Sequence, residues 1–274
     1  MNMSENKLRK LQLAELEVLQ EFVRLCDEND ITYYLVFGTL LGAVRHGGFI
    51  PWDDDIDINV PRQQYEKLIE VLKNHQSDVI EMEYYRYQPE AYTGFIRVLN
   101  KKYKVTNFRT ASGYYHPFID VFPLDAMPDG KLARLKYKAS LKWNLFKVRL
   151  PYINSLSHNK NRSGLKKAII RFAQLTHLGQ NIDASKVKDR INQILASYRY
   201  EDCQLVDNFW GSYLFNEYMP KEYFGKGSKV IFEGGEYNAP EKVHEYLTHV
   251  YGDYMQLPPE DQRVTHEVEI VDEQ

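Results

Sequence analysis

Leu8, Leu11, Leu16, Leu19, Phe22, Val23 and Cys26 recur at helical spacing with charges between them. The chain therefore opens on an amphipathic helix that ends at Asn29-Asp30. Thr32-Tyr-Tyr-Leu-Val-Phe37 reads as a buried strand stopped by Gly38. Thr39 is a suitable cap for a short helix from Leu40 to Arg45, which Gly47-Gly48 breaks. Asp55 to Val60 alternates polar and apolar residues, the pattern of a strand with one wet face. Pro61 closes that strand and opens a helix through Tyr65, Leu68, Ile69 and Leu72. Residues 79–122 predict three or four more strands, clearest at Gly94–Leu99 and His116–Phe122, with an α+β fold and a mixed sheet as the result.

From about residue 128 the pattern turns helical. The expected division is a catalytic core over 1–127 and an appended, mainly helical lobe over 128–274, the two forming one unit overall. The second part includes a hairpin around Glu233-Gly234-Gly235-Glu236 and a helix from Pro240 to Val250, both expected to pack on the core.

Charge changes this picture. Lys131, Arg134, Lys136, Lys138, Lys142, Lys147, Arg149, Lys160, Arg162, Lys166, Lys167 and Arg171 fall in an interval without a single Asp or Glu. Against a whole-chain net charge of −3, these twelve cations leave −15 on the remainder. Solvated helices usually interleave both signs, so this lobe is expected to meet an anionic partner. Leu132, Leu135, Ala139, Trp143, Phe146 and Leu150 share one helical face there, which suits either packing on the core or lying in a membrane interface. A pI near 6.3 and the lack of a recognisable module argue against nucleic acid.

The rest of the composition is ordinary for a globular protein, with 43% hydrophobic and 27% charged residues among 274. The 21 tyrosines suit wet clefts and interfaces. Cys26 and Cys203 are isolated, which disfavours a zinc site or a disulfide scaffold and makes the cytoplasm the expected compartment. The polar start lacks the apolar stretch of a secretory signal, and no apolar run is long enough to span a bilayer.

The candidate chemistry lies in Pro51-Trp-Asp-Asp-Asp-Ile-Asp-Ile58. Residues two apart on a strand share a face, so Asp55 and Asp57 project together while Ile56, Ile58 and Val60 enter the core. Two adjacent carboxylates repel unless a cation lies between them, and an oxygen-only pair suits magnesium, with manganese as its substitute. A calcium loop of the EF-hand kind fails, because Ile58 replaces the needed glycine and Gln64 the closing glutamate. Asp53 has the parity of the pair but lies in the Pro-Trp turn, and Asp54 points the other way. Upstream, Gly38-Thr39 ends a strand and starts a helix, where backbone amides can cradle a phosphate. Asp120, alternating with apolar neighbours, is the third carboxylate and the best candidate for the general base; Asp125 is its rival as third carboxylate.

Phe37-Gly-Thr-Leu-Leu-Gly-Ala-Val-Arg-His46 followed by Gly48-Phe-Ile-Pro-Trp-Asp-Asp-Asp-Ile-Asp-Ile58 closely resembles the signature of the LicD family, phosphocholine transferases related to the fukutin-type ribitol-phosphate transferases. Weaker similarity runs through Phe118–Asp125 and through Tyr246-Leu247, Tyr251–Met255 and Pro258-Pro259. The resemblance implies a nucleotidyltransferase fold and a CDP-activated donor, typically CDP-choline. It also implies transfer of phosphocholine to a sugar hydroxyl of a cell-surface glycan precursor such as teichoic acid or lipopolysaccharide. Asp55 and Asp57 match the family's metal pair and Gly38-Thr39 its donor-phosphate turn, with Arg45 and His46 beside the site.

Arg97 and Lys101 are further candidates for neutralising a pyrophosphate. For an anionic, lipid-linked acceptor, the basic stretch 131–171 is expected to hold the substrate near the inner face of the membrane. Two rival readings remain: a glycosyltransferase using D-x-D to hold a nucleotide sugar, and a catalytically silent glycan- or membrane-binding module.

Overall fold

The computed structural model describes residues 3–106, 114–151, 171, 182–211, 218–263 and 269–272. The first helix, α1 (Met3–Glu28), leads into a two-residue strand β1 (Tyr34–Leu35), helix α2 (Phe37–His46), strand β2 (Asp57–Pro61) and helix α3 (Arg62–Asn74). Strands β3 (Ile80–Glu83), β4 (Ile96–Asn100), β5 (Tyr103–Thr106), β6 (Tyr114–Tyr115) and β7 (Phe118–Met127) follow. Beyond them come α4 (Lys131–Arg149), α5 (Ala184–Leu195), β8 (Leu205–Asp207), β9 (Met219–Pro220), the hairpin β10 (Ser228–Phe232) and β11 (Gly235–Ala239), α6 (Val243–Tyr251) and β12 (Glu269–Asp272).

The main sheet runs β1-β2-β7-β4-β3, with β8 and β9 continuing from β7. β2 and β7 are parallel and the other pairs antiparallel, so the sheet is mixed and the fold α+β. Its three central strands owe their order to one apolar face. Ile58 and Val60 of β2, Ile119 and Val121 of β7, and Ile96 and Val98 of β4 are fully buried among side chains from α1 and α3. Each such burial contributes about 1.5–3 kcal/mol. The opposite face carries the polar residues that form the site.

Several boundaries differ from the sequence expectation. β1 is shorter than the predicted Thr32–Phe37 because the chain already turns into α2 at Phe37, with Val36 as N-cap. Thr39 therefore lies inside α2 and does not cap it; its hydroxyl instead accepts from the Asp57 amide at 2.8 Å. Gly47, with φ of +72°, ends the helix in the left-handed conformation expected of glycine. β2 begins at Asp57, two residues later than predicted, and its wet face is limited to that residue: Asn59 is buried and accepts from Asn208 at 3.2 Å. β7 runs five residues past the predicted Phe122, since β8 pairs with its second half.

The largest correction concerns α4. Tyr137, Leu141 and Val148 are the buried apolar residues of the helix, and Leu150 beyond its end is buried too. Leu132, Leu135, Trp143 and Phe146, expected to form the packed face if the helix covered the core, are exposed. Lys160, Arg162, Lys166 and Lys167 of the basic interval lie outside the described residues. No helix among the described residues is long and apolar enough to cross a membrane.

Candidate active site

Strand register builds the site. Asp57 of β2 stands opposite Asp120 of β7, and Asp120 stands opposite Arg97 of β4. Cross-strand neighbours project to the same side, so the three form a row across the sheet. Asp55, two residues before Asp57, adds a fourth group beside them. The next positions along, Ile58, Val121 and Ile96, lie opposite one another on the apolar side. A one-residue slip would exchange the acids with the core, so burial of these hydrophobics fixes where the carboxylates point.

A cavity of about 660 Å³ opens over this row. Gly38, Arg45, Asp53, Asp55, Asp57 and Asp120 line it, with an aromatic wall of Phe37, Trp52, Phe122, Tyr251 and Tyr254. The structure thus brings five expected site residues to one space: Gly38, Arg45, Asp55, Asp57 and Asp120. Thr39 and Arg97 stand one layer behind. Thr39 holds the Asp57 amide, and Arg97 donates to Asp120 Oδ1 at 2.8 Å while its guanidinium stacks 4.1 Å from the centre of the Phe118 ring. His46 does not line the cavity but meets the Trp52 ring edge-on at 6.2 Å. Lys101 is elsewhere, donating to the Ser77 carbonyl at 2.9 Å. Asp125, the rival carboxylate, is fully buried in a two-point ion pair with Arg62, at 2.5 and 2.7 Å, away from the cavity.

The electrostatics of the row are unbalanced. Burial, followed by the charges of Asp53, Asp54 and Asp120, pushes the Asp55 carboxyl up to about 8, with Arg97 opposing. Burial also raises Asp120, against the pull of Arg97. Arg45 donates from one terminal nitrogen to the Tyr254 carbonyl at 3.0 Å, while its buried Nε has no hydrogen-bond partner among the described residues. Burial lowers this guanidinium, as it lowers the neighbouring His46, which Arg45 depresses further. Among the described residues no three His, Cys, Asp or Glu side chains form a metal-holding set by themselves.

The glycine and the aromatic at the head of α2 have specific jobs. A Cβ on Gly38 would stand 2.6 Å from Asp53 Oδ2, so glycine lets that carboxylate pack directly on the helix start. Phe37 holds φ of +48°, a conformation that costs a bulky residue about 1–3 kcal/mol. Its ring packs edge-on against Phe122 at 6.4 Å, which keeps it in the cavity wall.

Two further contributors come from α1 and belong to no motif. Glu15 of α1 is buried with one oxygen lacking a hydrogen-bond partner, and burial together with Asp55, Asp54, Asp53 and Asp120 raises its carboxyl strongly. Gln12, one turn earlier, donates to the Asp53 carbonyl at 2.9 Å. Their signal was present: both occupy the stripe that Leu8, Leu11, Leu19 and Phe22 mark as buried. The late aromatics Tyr251 and Tyr254, and Arg263 stacked 5.2 Å from the Trp52 ring centre, had no spacing to connect them to residues two hundred positions earlier.

Residues 30–144 match the family described as LicD/FKTN/FKRP, nucleotidyltransferase domain, an interval containing every site residue expected from the sequence. The chain is 32% identical over 272 residues to the lipopolysaccharide cholinephosphotransferase LicD of Haemophilus influenzae, covering 97% of this chain and 98% of that protein. A shorter match, 41% identical over 44 residues, relates 16% of the chain to 9% of the human ribitol 5-phosphate transferase FKRP. An uncharacterised protein of Rickettsia prowazekii is 40% identical over 63 residues, 23% of this chain and 24% of its own. With near end-to-end similarity to one relative and the aspartate row inside the matched domain, the chain belongs to the LicD family and is a LicD-type phosphotransferase.

Proposed function

We propose that the protein transfers phosphocholine from CDP-choline to a sugar hydroxyl of a cell-surface glycan precursor, such as teichoic acid or lipopolysaccharide. One observation carries this reading: a single cavity joins Asp55, Asp57 and Asp120 to a wall of five aromatic rings. A trimethylammonium group has no hydrogen to donate and is held best by aromatic faces. The carboxylates would meet the adjoining pyrophosphate of the same donor through a cation held between them. The relative from Haemophilus influenzae, by its name a cholinephosphotransferase acting on lipopolysaccharide, supports the same transferred group and acceptor class. We read the mixed sheet as a nucleotidyltransferase core, in keeping with the description of the matching domain.

The acceptor hydroxyl attacks the choline-bearing phosphorus. The bond from that phosphorus to the bridging oxygen breaks, CMP leaves, and the hydroxyl proton passes to a carboxylate of the row. Arg45 lines the cavity, and its guanidinium would meet the negative charge of the departing CMP. Gly38 lets the Asp53 carboxylate close on the helix start beside the donor, and the aromatic wall shields the reacting phosphorus from water. Arg97 fixes Asp120 in position.

The row suits a hard divalent cation: its ligands are all carboxylate oxygens, and Asp55 is surrounded by more negative charge than Arg97 can balance. Asp55 and Asp57, with Asp120 beside them, would hold magnesium. Magnesium takes only one or two carboxylates and fills its shell with phosphate and water, so this pair is sufficient. When bound, it supplies Lewis-acid stabilisation of the charge gathering on the phosphates.

The test offers the protein CDP-choline, CDP-ribitol, CDP-glycerol and UDP-sugars with magnesium and follows nucleotide release. CMP from CDP-choline well above the other donors is the expected result. Release from UDP-sugars alone would establish a glycosyltransferase instead.

A further inference from the structure

The helix α4 is apolar on two opposite sides. Tyr137, Leu141 and Val148 face inward, where Tyr137 and Leu141 pack with Ile191 and Leu195 of α5 and with Phe209. At 3.6 residues per turn, Leu132, Leu135, Trp143 and Phe146 fall on the reverse side. They are 66%, 65%, 58% and 46% exposed, and no other element among the described residues has more than one large exposed apolar side chain. Trp143 and Phe146 stack at 5.8 Å with planes 26° apart, forming one flat projecting surface.

Cations border this stripe on both edges. By helical position Lys131, Lys138, Lys142 and Arg149 run along one side and Lys136 and Lys147 along the other, with Lys147 Nζ 5.3 Å from the Trp143 ring centre. The helix contains no acidic residue. A stripe of Leu, Trp and Phe between two rows of basic side chains is the profile of a helix lying in a bilayer interface: rings and aliphatic chains enter the headgroup region, and lysines reach back to anionic headgroups. An acidic protein surface would answer the lysines but leave four large apolar groups to a specific pocket, whereas a lipid surface accepts both without one.

The same helix reaches the catalytic region. Leu145, Val148 and Arg149 line a second cavity of about 250 Å³ with Thr93, Phe95 and Gly211. Gly211 also lines the main cavity, and Phe95 packs against the Phe122 ring there at 4.4 Å. The inner side of α4 thus lies beside a cavity that shares Gly211 with the active-site cavity, while Leu132, Leu135, Trp143 and Phe146 on its outer side are exposed.

We propose that the outer face of α4 seats this protein on an anionic lipid bilayer, so that an acceptor anchored in that bilayer meets the active site without leaving the surface. Docking involves neither donor nor the aspartates, so it stands or falls separately from the proposed reaction.

The experiment is co-sedimentation of the full chain with vesicles of phosphatidylcholine alone or mixed with phosphatidylglycerol, in parallel with the variants Trp143→Ser/Phe146→Ser and Lys136→Glu/Lys142→Glu/Lys147→Glu. Melting temperatures check the fold, and solution scattering checks self-association. Wild type is expected to bind the mixed vesicles at least tenfold more tightly than the neutral ones, with each variant losing at least tenfold while keeping its melting temperature. Equal partition to both vesicle types would overturn the proposal, as would binding that survives both sets of substitutions. A dimer abolished by Trp143→Ser/Phe146→Ser, with no vesicle binding by the wild type, would assign the face to a second copy and overturn it too. If the first double variant fails to fold, Leu132→Ser/Leu135→Ser tests the same stripe at its other end.

Discussion

The hydroxyl of Thr39 accepts a 2.8 Å hydrogen bond from the backbone amide of Asp57, tying the first turn of α2 to the first residue of β2. The bond sets the height at which the aspartate leaves the sheet. Thr39→Val keeps the shape but leaves that amide without its partner, which costs about 1–3 kcal/mol. Turnover is expected to fall at least about tenfold, one such factor per 1.36 kcal/mol of lost positioning. Thr39→Ser should recover most of it. Paired melting curves and initial rates check this; a valine variant with wild-type rates would remove Thr39 from the site.

Asp120 and Asp125 lie five residues apart on β7 and should behave in opposite ways. Asp125 closes a buried ion pair with Arg62, so Asp125→Ala strands that cation and destabilises the fold by about 3–5 kcal/mol. Asp120 meets Arg97, which is partly solvated, and Asp120→Asn should cost about 1 kcal/mol or less. Turnover should vanish in the second variant at an almost unchanged melting temperature. Urea denaturation alongside rate measurements separates the two.

Gly38→Ala tests how closely the aspartate turn packs on α2. The added carbon would stand 2.6 Å from Asp53 Oδ2, so the carboxylate must move although the backbone can accept alanine. A displacement near 1 Å at a reacting site costs about 10²-fold in rate, and that loss is expected with little change in stability. Rates and thermal melts on the purified variant give the answer.

Arg9 of α1 reaches Glu233 in the β10–β11 turn through two bonds of 3.0 and 2.6 Å, and the Phe49 amide donates to the same carboxylate at 3.1 Å. The Arg9 bond, then that amide, hold Glu233 below its ordinary 4.5 against the opposing effect of burial. A depressed carboxyl stabilises the fold above its unfolded value, and this contribution is lost as pH falls from about 4.5 through the lower folded value. Arg9 is 36% exposed, so solvent screening limits the pair to ~1 kcal/mol. Stability of wild type relative to Glu233→Gln, followed by urea titration from pH 6 to 3, should shrink as pH drops; a constant difference would exclude the ion pair as its source.

How much of this was legible beforehand follows from range. The α1 stripe and the Pro61 boundary are local patterns and lie where the structure has them; the β2 alternation is local too, but the strand begins only at Asp57 and buries Asn59. The Asp55-Asp57 parity was also local, because β2 keeps Ile58 and Val60 inward. Arg97 was legible as a cation near the site, but its partner was set by strand order, which places β4 directly beside β7. The outward turn of Leu132 and Trp143 was hidden because α4 carries apolar residues on two faces, and periodicity cannot say which one α5 will cover. The aromatic wall depends on α6 and the segment after it folding back over α2, a contact no spacing encodes.

Magnesium-dependent release of CMP from CDP-choline, compared between wild type and Asp55→Asn/Asp57→Asn, is the most direct test of the aspartate row as the reacting centre. The account predicts steady release by the wild type that chelation abolishes and magnesium restores, and no release above background from a double variant that melts at or above the wild-type temperature. Release by that variant at a comparable rate would contradict it.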